Sequence, residues 1–363
     1  MKQTRRIFLQ TSSAAIFSTT LVRPSLASNP GARWMGCRLV QGQHYASLFD
    51  GTGKVHINIP LPGRGHGIVA TPGGRHALVM ARRPGTFILV IDLDTGSVVH
   101  EITTSIDHHF YGHGCFSNDG HLLYTTQNDT GTGQGVIAVR DATDAFALIT
   151  TFPSGGIGPH EIALMPDGLT LAVANGGIRT LPELGRTKLN LDTMSPSLTF
   201  INRETGKLLA DHHLAADKHQ LSIRHMSVGP SGIALALQYE GPKTDTMPLL
   251  ALFNGQTLQL IETPASEARA MRNYAGSIAH DPSGEIVALA CPRGNLISFW
   301  DATSGAALGR QTIVDACGVA PGNQPGEFVV TGGQLAAQSS PSSLTPTASF
   351  ADTQWDNHLQ RIA

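Results

Sequence analysis

The sequence predicts an all-β protein, a seven-bladed β-propeller whose ring is closed by its C-terminal strand. Three observations lead to this prediction. Two interleaved series of turn motifs recur along the 363-residue chain, and short apolar runs rich in β-branched residues separate them. The chain also enters this pattern in the middle of a repeat. Beyond the first residues, helical periodicity is never long enough to compete with the strand pattern.

The turn motifs set the length of the repeat. One series has the form Pro or Asn, any residue, then Gly, at Pro72-Gly73-Gly74, Asn118-Asp119-Gly120, Pro166-Asp167-Gly168, Pro230-Ser231-Gly232 and Pro282-Ser283-Gly284. The other is rich in Asp and Asn and begins at Asp50, Asp92, Asp141, Asn202, Asn254 and Asp301. Apolar runs bounded by such turns are typical of strands. The repeat unit is therefore four strands, A to D, at the length of a propeller blade.

Blade 2 is the clearest unit, and its four strands are predicted at His66–Thr71, His76–Arg82, Thr86–Asp92 and Ser97–Thr103. The A strands of blades 3 to 6 are predicted to begin near His113, His160, His225 and Gly276, and that of blade 7 near Asp315. The Ser/Pro/Thr-rich stretch Gln338–Ser349 obscures blade 7, so the sequence alone leaves six or eight blades open.

The first blade lacks an A strand. Trp34–Gln41, His44–Asp50 and Lys54–Pro60 have the character of strands B, C and D. The missing strand is predicted at Asp356–Ile362, at the other end of the chain. Such closure removes the open sheet edges that invite aggregation.

The N-terminal residues predict export. Thr4-Arg5-Arg6-Ile7-Phe8-Leu9 has the form of a twin-arginine signal, and Ser25-Leu26-Ala27 fits a small-x-small cleavage site. Residues 1–27 are therefore predicted to be a signal peptide, residues 28–363 a single propeller domain, and the periplasm its location. A basic N-terminus or an ordinary secretory signal is the alternative. The net charge of −2 gives no indication of nucleic-acid binding, and no apolar run after the signal is long enough to span a membrane.

Histidines recur in step with the blades. His66, His113 and His160 are equally spaced, each at a predicted A-strand start, and His225 and His358 occupy the corresponding places in blades 5 and 1. Because A strands line the channel of a propeller, these side chains are predicted to meet at one channel mouth. Imidazole suits iron, copper, zinc or nickel. In a wide ring, however, only adjacent blades are expected to share an ion. Hydrogen bonding between blades, acid–base chemistry and anion binding are the alternatives.

Loops between strands B and C lie at the same end of each blade as the start of strand A, and they are unusually polar. Together with neighbouring positions they supply the candidate ligand-binding residues Arg82, Arg83, Asn175, Arg179, Arg186, Arg224, Gln238 and Arg293. Guanidinium groups match carboxylate and phosphate, so an anionic ligand is one interpretation, and solvated or loop-bracing arginines are the other. The longest loop, 176–196, is expected to cover the mouth as a lid. Candidate general bases are Glu161, Glu240, Asp129 and Asp315, but no motif selects a reaction.

Other histidines are assigned to the outer surface. His108-His109 and His212-His213 lie near predicted D strands, which face outward in a propeller.

Several motifs together carry a resemblance. They are Gly65-His66-Gly67, Arg82-Arg83-Pro84-Gly85, Gly158-Pro159-His160-Glu161, Asn175-Gly176-Gly177-Ile178, Arg224-His225, Gln238-Tyr239-Glu240-Gly241 and Pro292-Arg293-Gly294. The chain resembles an uncharacterised family of twin-arginine-exported bacterial propellers, similar in fold to YVTN and amine-dehydrogenase-type propellers. Members tend to be encoded beside imelysin-like and di-haem-peroxidase-like proteins, in clusters that look like iron-uptake systems. The resemblance implies a periplasmic, iron-linked role and assigns no catalytic residue.

The leading hypothesis is a periplasmic binding protein in iron or other metal handling. Its cofactor would be iron or another transition metal, and its partner a metal chelate or a haem or iron-uptake protein. The alternatives are an oxidoreductase or lactonase-like hydrolase on the same face, and a docking scaffold without a ligand.

Overall fold

The computed structural model describes residues 31–185 and 187–362. Within them, strands form seven four-stranded antiparallel sheets, which confirms the seven-bladed propeller. The predicted signal peptide and Arg186 lie outside the described residues. No helix of the described part of the chain is long and apolar enough to cross a membrane.

Each sheet is one blade, and its strands run from A at the channel to D at the rim. Blade 1 contains β28 (Thr353–Arg361), β1 (Arg33–Val40), β2 (Gln43–Asp50) and β3 (Val55–Pro60). Blade 2 contains β4 (Gly65–Ala70), β5 (His76–Ala81), β6 (Phe87–Asp92) and β7 (Ser97–Thr103). Blade 3 contains β8 (His108–Phe116), β9 (Leu122–Asp129), β10 (Gly135–Asp141) and β11 (Ala147–Pro153). Blade 4 contains β12 (Pro159–Leu164), β13 (Thr170–Asn175), β14 (Ser197–Asn202) and β15 (Leu208–His212).

The remaining blades follow the same plan. Blade 5 contains β16 (Leu221–Gly229), β17 (Gly232–Tyr239), β18 (Leu250–Phe253) and β19 (Leu258–Leu260). Blade 6 contains β20 (Ser277–His280), β21 (Ile286–Cys291), β22 (Leu296–Asp301) and β23 (Ala307–Thr312). Blade 7 contains β24 (Ala316–Pro321), β25 (Phe328–Gly332), β26 (Leu335–Ser340) and β27 (Ser343–Ser349). The helix α1 (Ala265–Met271) is inserted between blades 5 and 6, and 3₁₀ turns lie at Pro182–Leu184, Leu191–Thr193, Ala216–Lys218 and Pro292–Gly294.

Ring closure follows the predicted scheme. The C-terminal β28 pairs antiparallel with β1, with Trp34 opposite Arg361 and Val40 opposite Thr353. Each A strand contacts the next around the channel, and β28 completes the circle between β24 and β4. The Ser-rich stretch that obscured blade 7 forms the end of β26 and the outer strand β27, so this blade is complete.

The turn motifs form because Asp and Asn side chains bond to their own turns. The Oδ1 atom of Asp92 accepts the backbone N–H groups of Asp94 and Thr95, and Asn202 does the same for Glu204 and Thr205. Asn254 and Asp301 repeat this arrangement between strands C and D. One side-chain atom per blade therefore fixes the turn that carries the chain outward to strand D.

The core lies between adjacent blades and is built from strands B and C. Strands β5 and β6 are buried along almost their whole length, whereas the outer β7 and β11 are largely exposed. Large side chains such as Trp34, Leu48, Leu78 and Trp300 are fully buried. Burial of this apolar surface, at roughly 25 cal/mol per Å², holds the blades against one another and keeps the A strands close to the axis.

One surface assignment is wrong. His108 and His109 belong to β8, the A strand of blade 3, which begins five residues before His113, and His109 is only 2% exposed. The prediction placed these histidines near a D strand because it began the A strand of blade 3 near His113, whereas β8 begins at His108. His212 and His213 lie at the end of the outer strand β15, as expected.

Candidate functional site

The five predicted histidines lie on the A strands of five consecutive blades, from blade 1 to blade 5. They do not all lie at strand starts, because His113 lies past the middle of β8 and His225 lies at the middle of β16. What they share is a shift in strand register at or beside each position: His66, His113, His160, His225 and His358. A β-bulge re-aims the side chain beside it. The bulges thus turn one imidazole per blade toward the channel.

Two glycines allow the histidine strands of blades 2 and 3 to approach closely. A Cβ atom on Gly67 would lie 2.3 Å from the carbonyl oxygen of Gly112 and 3.0 Å from Nδ1 of His113. A Cβ atom on Gly112 would lie 2.7 Å from Cδ2 of His66, and its φ of +108° is a conformation that favours glycine. These positions are glycine because imidazole rings occupy the space beside them.

The imidazoles meet in one cluster, which we call the histidine centre: His66, His113, His160, His225 and His358. The centroids of His66 and His225, which come from blades 2 and 5, are 6.0 Å apart. His66 and His358 are 4.4 Å apart, and His113 and His358 are 4.6 Å apart. The expectation that only adjacent blades could share an ion is therefore wrong, since the bulged side chains reach across the channel.

Burial keeps these rings neutral. His66, His113, His160 and His225 are between 1% and 7% exposed, and His358 is partly buried. Burial lowers the pKa of His66 to about 4, although Asp356 opposes this shift. The pKa values of the other four are also lowered well below 6.5 by burial, with further lowering by neighbouring histidines and arginines. A neutral imidazole is the form that can ligate a metal.

Two carboxylates fix the orientation of two rings. Nδ1 of His66 donates to Asp356 at 2.8 Å, and Nδ1 of His225 donates to Glu161 at 3.1 Å. Each bond places the ring proton on Nδ1, which leaves Nε2 with a free lone pair. Burial would raise the pKa of Asp356, but Arg82, His66 and Arg64 hold it well below its usual range. Burial raises the pKa of Glu161 to about 8.

His160 is held through its Nε2 atom rather than through Nδ1. A guanidinium nitrogen of Arg224 donates to its Nε2 at 2.8 Å, so the ring carries its proton on Nδ1. That Nδ1 atom is buried and has no hydrogen-bond partner among the described residues. While this bond persists, His160 presents a donor to the centre rather than a lone pair.

The Nε2 atoms of His66, His113 and His358 are likewise buried and unpartnered within the described part of the chain. Ligand atoms of His66, His225 and His358 all lie within 4.8 Å of one another, and the same holds for two further sets, His66 with His113 and His160, and His113 with Glu161 and His225. With metal–nitrogen bonds of ~2.0–2.1 Å, four imidazoles in a tetrahedron have centroids about 5 Å apart. The centroids of His66, His113, His225 and His358 are 4.4 to 6.0 Å apart.

A cavity of about 440 Å³ lies beside the histidine centre at the mouth formed by the B–C loops, and we call it the arginine pocket. Five of the predicted ligand-binding residues line it: Arg82, Arg83, Arg224, Gln238 and Arg293. Glu240 and Asp315, two of the predicted general bases, also line it. A second cavity of about 230 Å³ lies elsewhere along the channel and is lined by His113, Glu161 and His358, among others. The histidine centre therefore borders the second cavity directly, and it is joined to the arginine pocket through Arg224 and through Asp356 with Arg82.

Two of the described residues that were predicted to bind a ligand, Asn175 and Arg179, do not line this pocket. Asn175 is fully buried, and its side-chain amide bonds to Ser154, Ser197 and Thr199, so it braces blade 4. Arg179 is exposed, and its side chain lies beside Gly133 of blade 3. Arg186 lies outside the described residues. Asp129, the remaining predicted base, accepts the N–H groups of Gly131 and Thr132 within a turn.

Asp356, Tyr274 and Lys188 belong to the site but were missed by sequence reasoning. Asp356 lies under the histidine centre, where it bonds His66, Arg64 and Arg82. Tyr274 follows α1, pairs with Gln238 in an isolated bridge, and receives a hydrogen bond from Asn357. Lys188 bonds to Glu240. Among these residues, only Asp356 had a sequence signal, its position two residues before the predicted ligand His358. Tyr274 lies in an insertion that is not part of the blade repeat, so no periodic pattern identifies it.

The loop predicted as a lid borders the pocket. Asn190 ties its two ends together by donating to the carbonyl of Gly177 and accepting the N–H of Arg179. Met194 is buried, and Lys188 reaches into the wall of the arginine pocket. The loop thus contributes a cation to the site; whether it opens and closes stays a prediction.

Fold and site together define a seven-bladed propeller in which consecutive blades direct histidines into the channel. The chain belongs to a family described as "Protein of unknown function (DUF1513)", whose model matches residues 59–362. A search of the curated proteins finds no match.

Solved structures show the same architecture. The chain is similar to the hydrazine synthase of Kuenenia stuttgartiensis, with a TM-score of 0.59 and 16% identity over 85% of this chain and 90% of that one. It is also similar to the β-propeller domain of Cps50 (Swd1) from Myceliophteria thermophila, with a TM-score of 0.57 and 13% identity over 82% of this chain and 93% of that one. At such identities the likeness shows the fold alone.

Proposed function

We propose that the protein is a periplasmic metal-binding protein that holds one transition-metal ion at the histidine centre. The observation that carries the proposal is the convergence of the unpartnered, buried Nε2 atoms of His66, His113 and His358 in one cluster. In the same cluster, carboxylates anchor Nδ1 of His66 and Nδ1 of His225. The ligands are Nε2 of His66, His113, His225 and His358.

The anchoring carboxylates support this assignment. Ligating histidines commonly donate their second ring N–H to a carboxylate, which fixes the ring and makes the ligating nitrogen more basic. Asp356 does this for His66, and Glu161 does it for His225. The charge of Asp356, whose pKa lies well below its usual range, also offsets part of the positive charge that a metal ion brings into the channel.

The unpartnered nitrogens support it as well. A buried polar atom without a partner costs about 1–3 kcal/mol. The nitrogens of His66, His113 and His358 concentrate this cost at one point of the channel. A bound cation would satisfy such nitrogens, and ligand atoms of His66, His225 and His358 all lie within 4.8 Å of one another. His113 shares one such set with His66 and another with His225.

His160 has a different role in this proposal. Its Nδ1–H faces the centre as a donor while Arg224 holds Nε2. It would donate a hydrogen bond to a water or anion at the metal and would link the metal to the arginine pocket.

Imidazole ligands suit iron, copper, zinc and nickel, so the ligand set alone leaves the metal among these four. We propose iron handling because of the resemblance to propellers encoded in iron-uptake clusters, and the periplasm because of the twin-arginine motif at Arg5 and Arg6. The partner would be a metal chelate or a haem or iron-uptake protein that approaches the mouth bearing the arginine pocket.

Metal analysis of the purified, exported protein tests the proposal directly. Elemental analysis should find about one transition-metal ion per chain, or one should bind when the metal-free protein is titrated with Fe²⁺, Cu²⁺, Zn²⁺ and Ni²⁺. The variant His358→Ala should bind at least tenfold more weakly. His121→Ala is the matched control, because His121 is 68% exposed on a turn far from the channel.

Thermal unfolding separates ligation from a structural role. A ligand that binds only the folded state raises the melting temperature, and the rise grows with the logarithm of the ligand concentration relative to its Kd. Metal should therefore stabilise the wild type and His121→Ala but not His358→Ala. Wild-type protein that binds none of the four metals would overturn the proposal. So would a folded His358→Ala variant with unchanged affinity.

A further inference from the structure

We propose that the arginine pocket binds a small hydroxy-polycarboxylate anion, and that this anion and the metal strengthen each other's binding. The second part rests on the proposed metal site, whereas the first does not. The argument depends on the charge of the pocket, its unpartnered polar atoms and the distribution of its cations among the blades.

The charge of the pocket is strongly positive. Six cationic side chains line it: Arg64, Arg82, Arg83, Lys188, Arg224 and Arg293. Two acids, Glu240 and Asp315, accompany them, and Asp356 lies beneath. Asp356 forms ion pairs with Arg64 and Arg82, and Glu240 forms an ion pair with Lys188. This concentration occurs in a protein whose overall charge is −2, so it marks a site for an anion rather than a general basic surface.

Three arginines have no carboxylate within hydrogen-bonding distance among the described residues. Arg83 stacks on Tyr111 and Arg293 on Tyr274, with the guanidinium carbon 5.3 and 4.6 Å from the ring centroids. Arg224 is 5% exposed and 4.0 Å from Glu240, which is too far for a hydrogen bond. Burial, together with Arg83 and Arg82, lowers the pKa of Arg224 to about 10. A buried guanidinium is stable when an anion pairs with it.

The unpartnered atoms indicate what kind of anion fits. Nε of Arg224 is a buried donor, and Oε1 of Glu240 is a buried acceptor, and neither has a hydrogen-bond partner among the described residues. The donor suits a carboxylate of the ligand. The acceptor suits a hydroxyl group. A ligand with both groups satisfies both atoms, which a carboxylate without a hydroxyl group does not.

The cations surround the cavity rather than line one wall. Arg82 and Arg83 follow the B strand of blade 2, whereas Arg224 and Arg293 come from blades 5 and 6. A single oxyanion group can pair either with the arginines of blade 2 or with those of blades 5 and 6. An anion with two or three carboxylates can pair with both groups of arginines, and the cavity volume of about 440 Å³ leaves room for it.

Coupling to the metal follows from shared residues. Arg82 and His66 both bond to Asp356, and Arg224 bonds to His160. A cation at the histidine centre adds positive charge beside these arginines, and an anion in the pocket offsets it. Because linkage is reciprocal, each ligand must raise the affinity for the other by the same factor, which we expect to be at least about fivefold.

Calorimetric titration of the metal-free protein tests the anion site first. The probes are citrate, tricarballylate, which has the same three carboxylates without the hydroxyl, and inorganic phosphate. We expect citrate to bind most tightly, tricarballylate at least threefold more weakly, and phosphate weakest. Phosphate as tight as citrate would overturn the polycarboxylate assignment. Tricarballylate as tight as citrate would overturn the role of the hydroxyl.

Variants test the place of binding. Arg83→Met and Arg293→Met should each weaken citrate binding at least tenfold, because neither arginine anchors the histidine centre. Arg75→Met is the matched control, since Arg75 is 71% exposed and lies on an A–B turn of the same blade as Arg83. Unchanged citrate binding in both pocket variants would overturn the site.

The coupling is tested by titrating tricarballylate, the weaker chelator, into metal-free and Zn²⁺-loaded protein. A fivefold gain in affinity on loading supports the coupling, and equal affinities overturn it. If the metal-free protein binds citrate but no metal binds, the proposed metal function fails while the anion site stands. If metal binds but no anion does, the anion inference fails alone.

Discussion

At the scale of single residues, Asp356 joins the two halves of the site. One of its oxygens accepts from His66 and Arg82, and the other accepts from Arg64. The residue is 5% exposed, so its charge acts in a region from which water is largely excluded. Asp356 thereby fixes the tautomer of a proposed ligand and holds two arginines at the edge of the pocket.

This arrangement predicts the effect of Asp356→Asn. The amide cannot supply the negative charge that makes His66 a better ligand, so metal affinity should fall about 10- to 100-fold. Competition with a chromophoric chelator measures the change. Asp352→Asn is the control, because Asp352 is exposed in the turn before β28. An Asp356→Asn variant that folds and binds metal like the wild type would show that Asp356 has no influence on the centre.

A second residue-scale prediction concerns Gly112. Gly112→Ala places a methyl group against the His66 ring and forces alanine to a φ of +108°, so both strain and displacement follow. Gly73→Ala is the matched control, since Gly73 has a φ of +91° but no atom within 4 Å of the new Cβ. We expect each to lose about 1–3 kcal/mol of stability from backbone strain. Only Gly112→Ala should also weaken metal binding, as measured on the folded fraction.

The sequence predicts the five histidines of the centre but not the residues that orient them. Equal spacing identifies His66, His113 and His160, because each blade repeats one position. Asp356 and Tyr274 reach the site through ring closure and through an insertion, and neither event leaves a periodic mark. The reach of the imidazoles across the channel depends on bulges, whose effect on side-chain direction no spacing encodes.

At the scale of elements, the C–D turns show how side chains set the blade geometry. Asp92 and Asn202 make the same pair of bonds to the backbone in blades 2 and 4, so either residue type can form the turn. They differ in charge. The pKa of Asp92 is lowered to about 2, chiefly by the backbone N–H of Thr95 and also by the Thr95 hydroxyl, Arg75 and Asp94, while burial opposes the shift.

A pH dependence follows from this shift. Because the pKa of folded Asp92 lies below its ordinary value of 3.8, its contribution to stability is complete above pH 4 and is lost as the pH falls toward 2. Asp92→Asn keeps the turn but removes the titration. The difference in melting temperature between wild type and variant should therefore shrink as the pH is lowered from about 5 to about 2, a range that contains the folded and the ordinary pKa of Asp92.

The control for this prediction is Asp94→Asn, which changes an exposed carboxylate in the same turn. Its difference from the wild type should vary less with pH. A constant difference for Asp92→Asn across this range would show that the hydrogen bonds of Asp92 do not depend on its charge.

Strand positions were predictable for a related reason. Observed strands such as β5, β6 and β7 match the predicted blade 2 to within one residue at most ends, because Gly, Pro and Asp turns terminate them. The A strands β8 and β16 were misplaced at their starts. Both contain register shifts, and a bulge interrupts the alternation that reveals a strand.

At the scale of the whole molecule, one strand makes both the ring and the site. β28 pairs with β1, contacts β24 and β4, and carries Asp356 and His358. Closure of the propeller and completion of the histidine centre are therefore the same event. The backbone N–H of Ile362 also donates to the carbonyl of Arg33, so the end of β28 lies beside the start of β1.

This proximity allows a circular permutant to test the role of β28. The permutant begins at Asp352, passes from Ile362 through a short glycine-rich linker to Gly31, and ends at Ala351 in the turn after β27. It keeps every strand pair, so we expect a monomer with the β-sheet circular dichroism of the wild type. A chain that ends at Ala351 without the permuted strand leaves the edge of β1 unpaired and uncovers β4 and β24, and unpaired edges recruit other chains. It should aggregate, as gel filtration and light scattering would show.

A monomeric, folded deletion chain would mean that six complete blades and an open one suffice for folding. A permutant that aggregates like the deletion would mean that the order of the strands along the chain, rather than the presence of β28, controls closure.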